Sequence, residues 1–443
     1  MVDSPSISRR QVLAAVGGSA IGVGGYVAGV RSASSVPDWL AGRDCAPSPL
    51  ATSLTDWPFD RHDRANTGRA PARAGPDWPL GQTWEREWPV SDIHGLRPLV
   101  VADGVVVAFV VAPPQSILLG ISNDDGRVIW RRTVEDAEYG QVFAASGMAF
   151  VEGEVPNSSV RFAVRSLGDG AMIWTDSFSS HVPQTLADGR LLTVDRSPDR
   201  ARDDDHFAIT GLDARTGVEC WRAVHGGWPR DIAVADGRVI VPTRDHGVLA
   251  LDPASGDRQW RSDVGGGTAA LVDDLIISNR FPGELRALSL ADGSLKWSVQ
   301  SEHFLEGGEG DDGTRYARPG FEVGAVTSEA VIYLLEVYSD YPRRLQARDL
   351  ETGELLWDVG PEPTPVEFHG YSRPVVVGDD VLAIRYARRE GSEDPPDALL
   401  RLNVASGAER DRISFPADER VYPPVAADNT LFVPTEERLV AYT

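Results

Sequence analysis

Along most of the chain, short apolar runs come in pairs separated by a few turn-forming residues. PLVVADGVVVAFV is the first, followed by VFAASGMAFV, QTLADGRLLTV, IAVADGRVIVP, ALVDDLIIS, GAVTSEAVIYLL, PVVVGDDVLAIRY and PVAADNTLFVP. An Asp-Gly pair between two β-branched runs is the strongest short-range hairpin signal, because both central turn positions need positive φ. Eight such signals predict eight hairpins. Nothing in this region sustains a 3.6-residue apolar period. The expectation is an all-β chain.

A second pattern alternates with the first. A turn glycine is followed four residues later by tryptophan in DGRVIW (Gly126, Trp130), DGAMIW (Gly170, Trp174) and TGVECW (Gly217, Trp221). SGDRQW (Gly256, Trp260), DGSLKW (Gly293, Trp297) and TGELLW (Gly353, Trp357) continue it, and SGAERD keeps Gly407 but places Asp411 where tryptophan is expected. The glycines recur at intervals of 37 to 60 residues, which suits a four-stranded propeller blade and exceeds a leucine-rich repeat. The last unit stops at Thr443 before any glycine turn, while TWEREWPV around Trp84 is a tryptophan strand with no hairpin before it. Joining the two ends removes the open edge that an incomplete last blade would leave. Residues 78–443 are therefore expected to form an eight-bladed β-propeller of four-stranded antiparallel blades. The N-terminal strand near Trp84 should pair with the C-terminal blade beside Ala441.

A small residue also sits ten positions before most of these tryptophans: Ala250, Ala287, Ala347, Gly120 and Gly211. Val164 departs mildly before Trp174, and Arg401 with Asp411 departs strongly, which predicts a looser blade there. Small residue, glycine and tryptophan together resemble the tryptophan-docking motif of PQQ-like repeat propellers, over about residues 78–443. The lead-in DWPFDRHDRANTGRAP (Asp56 to Pro71) is similar to the segment preceding such propellers in halophilic archaea. The resemblance implies that each glycine turns the chain, each indole packs between neighbouring blades, and the small residue leaves room for it. The tryptophans then read as structural pegs, not ligand floors. In size the chain most resembles BamB-type propellers, which hold partner proteins. Quinoprotein dehydrogenases share the propeller but carry a disulfide between adjacent cysteines and insertions that build a calcium and quinone pocket. Cys45 and Cys220 are far apart, and Cys45 precedes the ring. The expectation is a non-catalytic interaction scaffold, a monomeric ring needing no cofactor, with a PQQ- or metal-dependent oxidoreductase as the alternative.

Charge narrows the partners. The 443 residues include 66 acidic and 43 basic ones, a formal net charge of −23, with Lys296 the single lysine. Such an acidic surface argues against nucleic acid, whose phosphates need a basic face, and resembles halophilic proteins. Residues 1–35 resemble a twin-arginine export signal, with Ser8-Arg9-Arg10 before Val12-Leu13 and an apolar, glycine-rich run to Val30. They are expected to send the protein outside the cytoplasm, either cleaved or retained as an anchor on the outer face of the membrane. Residues 36–77 are expected to be a linker and lead-in. Leu40-Ala41-Gly42 begins like a lipobox, but Arg43 stands where the lipidated cysteine belongs. A lipid on Cys45, a free thiol and a disulfide with Cys220 all stay open.

Catalytic motifs are missing: the eight histidines show no HExxH spacing, and no GxSxG, P-loop or dinucleotide fingerprint occurs. Asp203 to Asp205 and the pair Asp311, Asp312 in GGEGDDG could ligate Ca²⁺ through carboxylate oxygens, without EF-hand spacing. The longest repeat adds Ser301 to Pro319, holding His303, Phe304 and Tyr316, and the next adds Gly360 to Tyr371 and Arg388 to Asp397. Loops on a rigid ring carry binding, so these insertions are the expected rim for an unidentified protein partner.

Overall fold

The computed structural model describes residue 45 and residues 47–443, except 91–92, 113–114, 136–139, 156–158, 179–183, 196–205, 245, 265, 281–282, 302–319, 337–342, 361–367 and 388–395. Its strands form eight sheets, each four-stranded or built around four strands. Numbered from the chain start, blades 1 to 7 span 95–135, 142–178, 185–226, 233–262, 269–300, 320–359 and 368–414. Blade 8 combines 425–442 with Gln82–Glu87. Strands a to d are counted outward from the central channel. In blade 5 they are Ala269–Val272, Leu275–Arg280, Glu284–Ser289 and Leu295–Gln300.

The blades follow from local chemistry. The a–b turns place both central residues in the left-handed region, as at Asp103 and Gly104 (φ 50° and 75°) and Asp236 and Gly237 (φ 46° and 67°), the twist that suits a two-residue hairpin. Strand b of blade 1, Val105–Val111, is buried along its whole length because both faces of its sheet meet a neighbour. Strand d lies at the rim with one edge unpaired, so its sequence turns polar. Gln82–Glu87 reads QTWERE, with only Trp84 half-buried. Closure occurs as the chain ends demand, with Trp84 opposite Ala441 in an antiparallel pair.

The segment ahead of the ring is part of the fold. Each innermost strand has one edge free of the ladder, and those backbone groups need partners. Residues 51–74 supply them. Trp57 and Val101 exchange backbone hydrogen bonds of 2.8 Å. The amides of Ala144, Val234, Leu271, Val326 and Val376 donate to the carbonyls of Pro58, Arg64, Ala65, Thr67 and Gly68, at 2.7–2.9 Å. Arg69–Ala70 adds a short parallel strand inside blade 7, and the amide of Asn429 in blade 8 reaches the Ala74 carbonyl at 3.0 Å. Blade 3 is held differently. Its Gly189 sits against the Ser48 carbonyl, too close for any side chain, and Cys220 in its strand d forms a disulfide with Cys45, Cα–Cα 5.3 Å. Residues expected to link a leader to the ring thus touch all eight blades. They form a plug across the channel mouth that carries the a–b turns.

Candidate functional site

The docking motif joins blades in a repeating geometry. The ten-residue spacing is cross-strand pairing: Gly120, Gly211, Ala250, Ala287 and Ala347 lie directly opposite Trp130, Trp221, Trp260, Trp297 and Trp357. Val164 takes this place opposite Trp174. The glycine that receives each ring belongs to the next blade. A Cβ on Gly126, Gly170, Gly217, Gly256, Gly293, Gly353 or Gly407 would lie 2.5–2.9 Å from the indole of Trp84, Trp130, Trp174, Trp221, Trp260, Trp297 or Trp357 respectively. These glycines also sit at φ 66–76°, so they meet both a steric and a conformational demand that other residues fail. Six of the indoles donate their N–H to a backbone carbonyl of that next blade, as Trp297 does to Leu350 (2.8 Å) and Trp84 to Asn123 (3.0 Å). Trp260 makes no such bond. The rings are consumed in holding blades together.

Charge concentrates where the plug meets the channel wall. Arg61 pairs with Asp231 of blade 4 at 2.5 Å, with side chains only 10% and 2% exposed. Asp231 also accepts from the amides of Ile232 and Ala269. Asp60 pairs with Arg373 of blade 7 at 2.5 Å. Burial alone would raise the Asp60 carboxyl, but the charge and hydrogen bond of Arg373, with Arg61 nearby, hold it below its ordinary value. Asp56, buried within the plug, has no cation paired with it among the described residues. Burial is the main cause that pushes it up to about 6, against a backbone hydrogen bond from Ser53. Above the plug a cavity of about 80 Å³ is lined by Trp57, Asp60, Arg97, Arg373 and Tyr422 among prolines. It has room for a few waters or a very small ligand.

The two faces of the ring differ. On the plugged face, a–b turns are two or three residues long and c–d turns five or six. On the other face, ten residues separate Asp195 from His206 and Ala387 from Ala398, and nineteen separate Gln300 from Gly320. His303, Phe304, Tyr316, Asp311 and Asp312 lie outside the described residues, but the strand ends flanking them, Gln300 and Gly320, belong to this second face. Among the described residues no three His, Cys, Asp or Glu side chains gather as a metal site. The described disulfide joins the lead-in to a rim strand 175 residues away, not two adjacent cysteines beside the channel. Sequence reasoning missed the plug and its ion pairs. The signal available was DRHDR, a dense run of alternating charge directly after the apolar WPF.

Eight four-stranded blades, pegged through tryptophan and a turn glycine and closed by an N-terminal strand, define a PQQ-like repeat β-propeller. The family model described as outer membrane protein assembly factor BamB matches residues 157–315 and 264–443. Together these cover well over half of the chain, which therefore belongs to that family. BamB from Moraxella catarrhalis superposes with a TM-score of 0.55 at 18% identity, over 82% of this chain and 97% of that one. Quinohemoprotein alcohol dehydrogenase ADHIIG from Pseudomonas putida HK5 gives 0.60 at 11% identity, over 88% and 80%. The quinohemoprotein alcohol dehydrogenase of Comamonas testosteroni gives 0.59 at 14%, over 92% and 82%. At these identities the likeness is one of fold. Among curated proteins, the serine/threonine-protein kinase AfsK of Streptomyces coelicolor is 25% identical over 252 residues, 52% of this chain but 26% of the kinase.

Proposed function

We propose that the chain is an exported, non-catalytic propeller that holds a protein partner on the face opposite its plug, outside the cytoplasm. The observation that carries this reading is the asymmetry of the ring. One mouth is filled by the chain's own residues 51–74 and edged by tight turns, while every long connection leaves the other face. Membership of a family described by an assembly factor supports a scaffold. Occupation of the indoles by blade–blade packing removes the obvious aromatic ligand floor. Export is supported by the twin-arginine pattern and by the Cys45–Cys220 disulfide, a bond that persists in oxidising compartments. With its sulfur in that bond, Cys45 has none left for a lipid.

The test is a pull-down from the cell surface with the intact protein and with a form in which residues 301–319 are replaced by a six-residue linker, the length that joins Ser262 to Ala269. Loss of the recovered partner in the shortened form is the expected result; unchanged recovery would place the partner elsewhere. An oxidoreductase is the second reading, favoured by the fold likeness to the two quinohemoprotein dehydrogenases. Incubation with quinone and Ca²⁺ followed by dye reduction decides it, since sustained turnover would overturn the scaffold reading.

A further inference from the structure

Seven of the eight blade–blade interfaces share one lock: an indole from one blade seated on the turn glycine of the next. The interface between blades 7 and 8 has neither half. Asp411 stands at the peg position, opposite Arg401 where the other blades have Gly, Ala or Val. Blade 8 has no covalent c–d turn to receive a peg. Its strand c ends at Tyr442 and its strand d begins at Gln82, and Gly81 and Thr443 merely exchange backbone hydrogen bonds of 2.9 Å. The two losses are one fact. Gly407 persists because it serves Trp357 of blade 6; a tryptophan at 411 would have no glycine ahead of it.

Something else occupies the seam. Residues 71–81, leading from the plug to strand d of blade 8, form a strap across it. The Arg401 guanidinium lies 5.1 Å from the centre of the Trp78 ring. Arg401 and Arg410 both pair with Asp380, at 2.9 and 2.5 Å. Beside them a cavity of about 250 Å³ is lined by Ala72, Trp78, Val377, Leu382, Arg401 and Leu431. At the rim a buried indole is replaced here by half-exposed charges and a hollow, outside an apolar interior in which Leu382, Ile384 and Leu399 share one buried cluster with Val425, Ala426 and Leu431. Such ion pairs contribute little, and a cation–π contact at an exposed site adds modestly.

We propose that the seam between blades 7 and 8 is the ring's built-in opening point, latched by the stacking of Trp78 on Arg401. Opening there parts strand Glu409–Ser414 of blade 7 from the strap and blade 8 and leaves the seven pegged interfaces intact. This holds whether or not the scaffold reading is right, because it rests on the ring alone.

Hydrogen–deuterium exchange on the intact protein tests it, comparing only amides bonded within the sheets. Ladder amides of Ala398–Asn403 and Glu409–Ser414, the c–d pair of blade 7, should exchange about tenfold faster than the c–d ladder amides of blade 5, the difference expected where an indole's burial is missing. Trp78→Ala should widen that gap by about fivefold, the equivalent of one cation–π contact, and only at the seam. Trp297→Ala should instead speed exchange at the boundary of blades 5 and 6. Equal exchange at all eight interfaces, or a Trp78→Ala effect spread evenly round the ring, overturns the proposal. If Trp78→Ala does not fold, the gradient in the unaltered protein decides alone.

Discussion

The two faces of the ring are made of the same eight blades yet behave as different materials. The plugged face is assembled from backbone: tight turns, and a segment whose carbonyls meet the amides of one innermost strand after another. The opposite face carries the connections whose length varies from blade to blade, up to the nineteen residues between Gln300 and Gly320. What the difference teaches is that residues 45–74 belong with the stability of this protein, and, on the proposed function, the insertions with recognition.

Substitutions can break that division, beginning with the largest expected effect. Asp231→Ala leaves Arg61 buried without its counter-ion and should lower unfolding free energy by about 3–5 kcal/mol, read from a urea transition. A change near zero would mean the plug is draped over the ring and does not hold it. Replacing Cys45 and Cys220 by serine together should cost about 2–4 kcal/mol, and the melting temperature should then no longer respond to reductant. Asp56 gives a pH signature. Its carboxyl keeps its proton up to about pH 6 in the folded protein but only to about 3.8 when unfolded. Folding therefore binds a proton between those values, and stability falls as pH rises through that window. Asp56→Asn should flatten this slope and stabilise the protein at pH 7 by about 1–2 kcal/mol, checked by melting from pH 4 to 7. On the other face, replacing residues 301–319 by a six-residue linker, the length that joins Ser262 to Ala269, should shift stability by no more than about 0.5 kcal/mol. A large loss there would show that the insertion is structural, and the division of labour would fail.

Most of the ring was legible because its signals are local and repeated. Asp103-Gly104 announces a hairpin by itself, and Ala287, Gly293 and Trp297 lie within eleven residues. The closing strand was legible because Trp84 lacked a hairpin and Thr443 lacked a tryptophan strand. What the spacing concealed was which glycine each indole meets. Gly293 receives Trp260, not Trp297, so the missing tryptophan at 411 read as a defect in one blade when it marks the seam with the next. The plug was illegible for a different reason. Its partners are backbone amides of strands scattered over more than 300 residues, from Val101 to Asn429, and no side-chain pattern encodes a main-chain contact. DRHDR was visible only as charge, since nothing in sequence says that Asp60 and Arg61 reach opposite walls of one channel. The two cysteines left their pairing open until Cys45 was placed beside blade 3. The candidate recognition residues, carried on long loops without periodicity, gave composition and position only.

The bond between Cys45 and Cys220 also sets a lever arm. Cys220 lies on the outermost strand of blade 3, so whatever precedes Cys45 grips the ring at its circumference, off the axis. A pull applied at Cys45 would therefore reach the rim of blade 3 through the disulfide as well as the channel through the plug.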